Sequence, residues 1–430
     1  MEGTRPLRLL HGDCRPLMAM MDTSSVDAVV CDPPYGLKFM GQGWDHGVPG
    51  HEFWQAALRV AKPGTHLLAF GGTRTFHRLT CAVEDGGWEI RDCLSWLYGT
   101  GFPKSLDVSK AIDKAAGDER PVVGSRRVIP GVAFTQSTPA ATGRRDIPVT
   151  SAASAASAAW DGWGTALKPA WEPIVLARKP LGGTVAANVL EHGTGALNVD
   201  GCRIGTEQCG WGGGQNPNSF GGFSGPPGPP GPPGRWPANV LLDGEAARLL
   251  DGQSGITESN PNPNPNPNFK NLVFGRGMGG VVSVRNQHSD SGGCSRFFYT
   301  SKASRSEREL GLEALPAVRH GKSGGAAAAA ARGEDYDNGD SGFNRTVQVK
   351  NHHPTVKPVD LMRWLCRLVT PPGGVVLDPF CGSGSTGIAA LEEGFGFIGM
   401  DLEAEYLDIA EARIRATLPL FASQLQRVPT

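Results

Sequence analysis

The run Val375-Val376-Leu377-Asp378 and the turn Gly382-Ser383-Gly384-Ser385-Thr386-Gly387 behind it restrict the fold of this chain more than any other stretch. An apolar run that breaks into Gly-x-Gly-x-x-Gly and resumes at helical spacing is a strand, a tight turn and a helix. A second apolar run, Phe395 to Asp401, follows the helix and closes on an acid nineteen residues after Gly382. Two strands joined through a helix pair in parallel, and a parallel sheet needs cover on both faces. The expected fold is therefore α/β with a doubly wound, largely parallel sheet.

The first hundred residues follow the same grammar. Arg8-Leu9-Leu10 leads to Gly12-Asp13, and Val26 to Cys31 is a buried strand. Phe53, Trp54, Ala57, Leu58 and Ala61 stand at helical spacing before Lys62-Pro63-Gly64, and His66 to Phe70 is a further strand. Trp88 to Tyr98 and Trp171 to Ala177 read as an antiparallel edge. The middle is different: Gly-Pro repeats at 221–234, Asn-Pro repeats at 260–268 and an Ala run at 326–331 cannot bury enough apolar surface to offset ordering entropy. Short alternating islands, Gly195 to Asp200, Trp236 to Leu242 and Arg296 to Tyr299, lie among them. The expected division is 1–105 catalytic, 106–165 a flexible insert, 166–180 an edge strand of the catalytic sheet, 181–345 a loop-rich recognition region, and 346–430 a ligand-binding return to the sheet.

Composition limits the classes. The nine cysteines form no C-x-x-C pair and His352-His353 lacks companions at finger spacing, so no metal site and no disulfide framework is expected. No apolar run is long enough to span a membrane, and Glu2, Arg5 and Arg8 interrupt any signal core, so a cytoplasmic protein is expected. Net charge is -1, yet residues 101–350 hold 26 Lys and Arg against 22 Asp and Glu, and the flanks hold 15 against 20. Any nucleic-acid contact is thus expected in the middle.

The Val26–Cys31 strand runs into Asp32-Pro33-Pro34-Tyr35. Two prolines donate no hydrogen bonds, so the carbonyls around Asp32 and Pro33 are available to a ligand. A carboxylate, free carbonyls and a flat ring gathered at the carboxyl end of a strand suit an amino group. The lone pair of an exocyclic base amine is delocalised into its ring, and acceptors on both of its hydrogens draw the nitrogen toward tetrahedral geometry. Tyr35 offers a face on which an extruded base can stack.

The glycine turn with Asp401 matches a dinucleotide fingerprint, which makes a nicotinamide-dependent oxidoreductase one reading. Against it, Asp378-Pro379-Phe380-Cys381 puts a carboxylate where a pyrophosphate would be repelled. S-adenosylmethionine, with an ammonium and a sulfonium, fits an acid there, and its ribose hydroxyls fit Asp401. Asp13 could cap the next helix or line the adenine pocket; Phe380 could be core or a face for adenine. Lys357 could be a solvated helix-start residue or a ligand contact. Cys381 has no activating histidine in its motif and reads as packing. Trp44 and Asp45 could form a closing loop.

Asp32-Pro33-Pro34-Tyr35, then His353-Pro354-Thr355-Val356-Lys357-Pro358, then Asp378-Pro379-Phe380-Cys381-Gly382-Ser383-Gly384-Ser385-Thr386 resembles the DNA amino-methyltransferases, in particular the β group, in which the catalytic motif precedes the cofactor motif. Gly12-Asp13-Cys14 and the Trp236 and Phe297-Phe298-Tyr299 islands are similar to orphan enzymes of phages and mobile elements. The resemblance implies a Rossmann-like, circularly permuted methyltransferase sheet with an inserted target-recognition region. It also implies S-adenosylmethionine as cofactor and double-stranded DNA as partner. Catalysis would fall to Asp32, Pro33, Pro34 and Tyr35. Cofactor binding would fall to Asp13, Thr355, Lys357, Asp378, Pro379, Phe380, Cys381, Gly382, Ser383, Gly384, Thr386 and Asp401. The acid at the first motif position favours adenine N6, with cytosine N4 as the alternative and a binding protein without turnover as the third reading. A homodimer and a cognate restriction enzyme stay open.

Overall fold

The computed structural model describes residues 6–37, 45, 47–101, 105–128, 145–206, 232–258, 291–301, 305–321, 346–417 and 425–428. Trp44, the Asn-Pro repeats, the Ala run and most of the Gly-Pro stretch lie outside the described residues. The strands are β1 Leu7–His11, β2 Val26–Cys31, β3 Ala61–Phe70, β4 Glu89–Leu97, β5 Val122–Val128, β6 Arg145–Thr150, β7 Trp171–Arg178, β8 Val240–Asp243, β9 Thr257–Glu258, β10 Ser291–Gly292, β11 Tyr299–Ser301, β12 Val318–Gly321, β13 Thr346–Val349, β14 Val375–Asp378, β15 Gly396–Asp401 and β16 Gln426–Val428.

Ten of them form one sheet in the order β11-β8-β4-β7-β3-β2-β14-β15-β1-β16. Within it β7 alone runs against its neighbours. β2 is buried at every position, as an apolar run at the centre of a parallel sheet must be. Asp27, in the same strand, accepts from Lys62 Nζ at 2.6 Å and from Val375 N at 2.8 Å, joining β2 to the start of β14. One face is covered by the helices Val359–Val369 and Ser385–Glu392, whose Trp364, Leu365 and Ile388 pack with Val30, Leu68 and Phe397. On the other, Met18, Trp54, Leu79 and Val83 from three N-terminal helices pack with Val29, Leu67 and Leu377. The doubly wound α/β sheet is thus observed.

Four expectations are corrected. β4 and β7 pair antiparallel but are not an edge, because β8 and β11 continue the sheet beyond β4. Of the islands assigned to the recognition region, Trp236 to Leu242 ends in β8 of the main sheet, Arg296 to Tyr299 begins in a 3-10 segment and reaches β11 only at Tyr299, and Gly195 to Asp200 forms turns leading into a short 3-10 segment instead of a strand. The segment 106–165, expected to be a flexible insert, carries the helix Val108–Ala116, capped by Asp107, and the hairpin β5–β6. The helix His51–Val60 stops before Lys62-Pro63-Gly64 as expected, but the strand expected over His66 to Phe70 starts earlier, at Ala61, which pairs with Val26 before an irregularity ahead of Ala28.

Helix Ser385–Glu392 lies close on the sheet because Gly387 has no side chain; a Cβ there would come within 2.7 Å of Phe397 and 3.0 Å of Ile414. Gly387→Ala is expected to lower unfolding stability by about 1–3 kcal/mol, the usual cost of overpacking a core, as read from the urea midpoint at unchanged m-value.

Candidate active site

Because nine of the ten strands share one direction, their carboxyl ends deliver Gly12-Asp13, Asp32, Asp378 and Asp401 to one edge of the sheet. A cleft of about 480 Å³ opens there, lined by Asp13, Asp32 through Tyr35, Phe53, His353, Thr355, Pro379, Phe380, Asp401 and Tyr406 among others. Asp378, Cys381, Gly382, Ser383, Thr386 and Lys357 line a smaller cavity that shares Asp32, His353, Thr355 and Phe380 with it. The structure thus gathers the residues singled out from the sequence around two cavities with shared walls. Of these residues Gly384 alone appears in neither lining; its φ of +80°, and a Cβ that would come within 2.8 Å of Ala410, fit glycine at the turn.

The glycine turn is held from below and from behind. Gly382 N donates to Asp401 Oδ2 at 2.7 Å, and Glu403 N to Asp401 Oδ1 at 2.9 Å. Gly382 stands at φ +51°, and a Cβ there would come within 2.6 Å of the His353 ring, so a side chain fits neither the backbone nor the space. Arg413, fully buried, donates to Ser383 O at 2.5 Å and to the hydroxyls of Ser383 and Ser385. Asp378 accepts from Phe380 N at 3.0 Å and is 1% exposed. Burial pushes the Asp378 carboxyl up to about 7 against the opposing pull of Thr386 and Phe380 N, and pushes Asp401 up to about 6.

Asp13 stands at both a helix start and the cleft wall. It caps the helix Cys14–Ala19 through Arg15 N at 2.9 Å, and it lines the cleft. The Arg15 guanidinium, 2.6 Å away, holds its carboxyl below the usual range. Phe380 and Phe53 line the cleft with ring centroids 6.1 Å apart, and the core ring of Trp54 also lies 6.1 Å from Phe380. Cys381 is 5% exposed and burial pushes its thiol well up, which fits packing. Asp45 is buried and accepts from Gly36 N at 2.7 Å and Leu37 N at 3.2 Å, bracing the residues after Tyr35.

Lys357 is neither a solvated lysine nor a lining of the main cleft. Its ammonium is buried and lies 2.6 Å from Asp32 Oδ2, 3.2 Å from the Tyr35 hydroxyl and 3.4 Å from Glu172 Oε2. The rings of Phe70 and Tyr35 flank it at 4.9 and 5.4 Å. Burial pulls the ammonium down, but the two carboxylates outweigh it and raise its pKa above the ordinary value. The Tyr35 hydroxyl sits between the same two acids, 2.9 Å from Asp32 Oδ1 and 3.0 Å from Glu172 Oε2. Glu172 was not anticipated; its signal is one acid near the start of the apolar strand Trp171–Arg178. Each Asp32 oxygen therefore has one protein partner and keeps acceptor capacity for a ligand. His353, also missed, contributes a half-buried ring edge-on to Tyr406 at 4.6 Å; desolvation and the nearby Lys357 charge hold it down to about 3, so it is neutral, and its Nδ1 has no hydrogen-bond partner among the described residues. Among the described residues no group of His, Cys, Asp and Glu is arranged to hold a metal ion.

Residues 293–412 match the family model described as DNA methylase. The chain is 48% identical over 64 residues to the type II methyltransferase M2.DpnII of Streptococcus pneumoniae, a stretch of 15% of this chain and 24% of that protein. The chain spans only about a quarter of the length of the curated relatives it matches. Among solved structures it is similar to the M1.HpyAVI–SAM complex, at 14% identity and TM-score 0.38 over 95% of this chain and 98% of that one. It is likewise similar to the PvuII DNA methyltransferase (cytosine-N4-specific), at 11% identity and TM-score 0.40 over 100% and 99%. Both likenesses are too distant to carry function.

Removing the Lys357 charge leaves Asp32 and Glu172 facing one another in a partly buried site. Lys357→Met is expected to cost on the order of 3–5 kcal/mol of unfolding stability, the range for breaking a buried pair, and Asp32→Asn added to it should recover part of that loss. A double-mutant cycle by urea denaturation reads the coupling.

Proposed function

We propose that the chain, whose residues 293–412 match the DNA methylase family model, transfers a methyl group from S-adenosylmethionine to an exocyclic amino nitrogen of a base flipped out of duplex DNA, and that the base is adenine, modified at N6. The observation that carries this reading is the juxtaposition at one sheet edge of Asp32-Pro33-Pro34-Tyr35 with the glycine turn and Asp401, across shared cavity walls.

The residues fit the cofactor. Asp401, its oxygens each holding one backbone donor, has acceptor capacity left for ribose hydroxyls. Phe380 and Phe53 present flat apolar faces, and the unpartnered Nδ1 of His353 and the acid Asp378 border the smaller cavity. When bound, S-adenosylmethionine supplies an electrophilic methyl on a sulfonium, so no enzyme nucleophile is needed. The work of the chain is to prepare the amine. Asp32 and the Pro33 carbonyl accept its two hydrogens, localising the lone pair on nitrogen, while Lys357 and the Tyr35 hydroxyl fix the Asp32 carboxylate in place. Pro34 keeps the turn rigid and Tyr35 faces the base. As the nitrogen gains the methyl it must lose a proton, and Asp32 is the acceptor at hand. Asp at position 32, where cytosine-modifying relatives more often have Ser, supports adenine over cytosine.

Asp32→Ala is expected to abolish label transfer from radiolabelled S-adenosylmethionine to duplex DNA while leaving cofactor binding largely intact. Turnover retained by this variant overturns the assignment; label in N4-methylcytosine overturns the adenine assignment; no label with wild type favours a binding protein. Acidification supplies a second test. Since Asp378 and Asp401 have raised pKa values of about 7 and 6, both are ionised at pH 8 and become neutral as pH falls through that range. Titration calorimetry should show cofactor affinity weakening several-fold from pH 8 to 5.5, with a flatter profile in Asp401→Asn.

A further inference from the structure

The insertion between β4 and β7 leaves the sheet after Leu97 and returns at Trp171, and these two residues are paired across the strands. Both of its ends therefore lie at the edge that carries Asp32. The return is close: the Trp171 ring is 6.2 Å from Phe76, and the next residue, Glu172, bonds the Tyr35 hydroxyl. The segment 179–239, the first part of the expected recognition region, behaves oppositely. It leaves β7 at Arg178, opposite His66 and Glu89 near the far ends of β3 and β4, and re-enters the sheet at the amino end of β8.

The insertion is a built unit. Buried Asp113 accepts from Arg120, from Ala153 N at 3.2 Å and from Ser154 Oγ at 3.3 Å, tying the helix Val108–Ala116 to the segment after β6. On its outside, Trp160 and Trp163 stand 45% and 60% exposed with ring centroids 5.1 Å apart. Their turn is fixed by Val108 N on Trp163 O at 3.1 Å and by the bridge of Asp107 to Gly164. Leu106 and Leu167 are exposed on the same connection. Residues 105–170 hold eight Lys or Arg against six Asp or Glu, in a chain of net charge -1. Exposed indoles on an insertion of slight positive excess, whose ends lie at the edge that carries the site for an extruded base, match what single-stranded and locally unstacked DNA binds: aromatic faces for bases and cations for phosphates.

We propose that the 105–170 insertion, through Trp160 and Trp163, is a DNA-contacting surface that engages the duplex beside the flipped base. This rests on the methyltransferase reading. The test is fluorescence anisotropy of a labelled duplex with the full chain plus S-adenosylhomocysteine, comparing wild type, W160A/W163A, and W236A, whose exposed indole lies on the 179–239 segment. For W160A/W163A the Kd for DNA is expected to rise about ten-fold or more, a loss of the size of one base–aromatic stack, with S-adenosylhomocysteine affinity unchanged. W236A is expected to bind DNA as wild type does. An unchanged DNA Kd in W160A/W163A overturns the proposal, as does a loss confined to W236A. Wild-type protein that binds no duplex overturns the methyltransferase reading itself, which separates the two failures.

Discussion

The ammonium of Lys357 touching Asp32 across 325 residues of chain is the contact on which the site depends. It joins the first strand-end motif to the loop that precedes the helix Val359–Val369, and it does so inside the protein, where a lone carboxylate pair would be costly. Tyr35 and Glu172 complete the arrangement: three acidic or phenolic groups converge on one cation, and Phe70 closes it off from below. The Asp32 carboxylate is thereby oriented before any ligand arrives. Preorganised acceptors cost no rearrangement during a reaction, which is the general advantage of a fixed polar site.

That contact is possible because the sheet first aligns its strand ends. β2 pairs with β14 and β14 with β15, so Asp32, Asp378 and Asp401 are neighbours through the sheet although they lie far apart in the chain. Asp27 reinforces the same junction from the opposite end of β2. Arg413 does comparable service for the glycine turn, with its guanidinium spent on Ser383 and Ser385. Burial pulls that guanidinium down to about 10, which still leaves it charged at neutral pH. The Nδ1 of His353, which borders both cavities, has no hydrogen-bond partner among the described residues.

The extended sheet also redistributes what the middle of the chain does. The islands Trp236–Leu242 and Arg296–Tyr299 only overlap the ends of Val240–Asp243 and Tyr299–Ser301, two strands that extend the sheet beyond β4. Low-complexity sequence on either side obscured them, since three or four alternating residues carry little periodic signal. The insertion before β7 was obscured for the opposite reason. It shows little apolar periodicity, while the helix Val108–Ala116 is tied to the segment after β6 by buried polar contacts around Asp113 that no hydrophobic pattern reveals.

What the sequence by itself determined was the local grammar: the buried strands that end in Asp32 and Asp378, the glycine turn, the acid at Asp401, and with them the α/β class. These were legible because strand burial, turn geometry and helix spacing each depend on residues close in the chain. What only the tertiary structure decided was partnership. Lys357 could be read as a solvated residue or a ligand contact, and Glu172 gave no motif at all. Their roles beside Asp32 follow from strand order and direction, above all from the reversed strand that brings Glu172 to the carboxyl edge, and from burial that makes an unpaired charge there untenable.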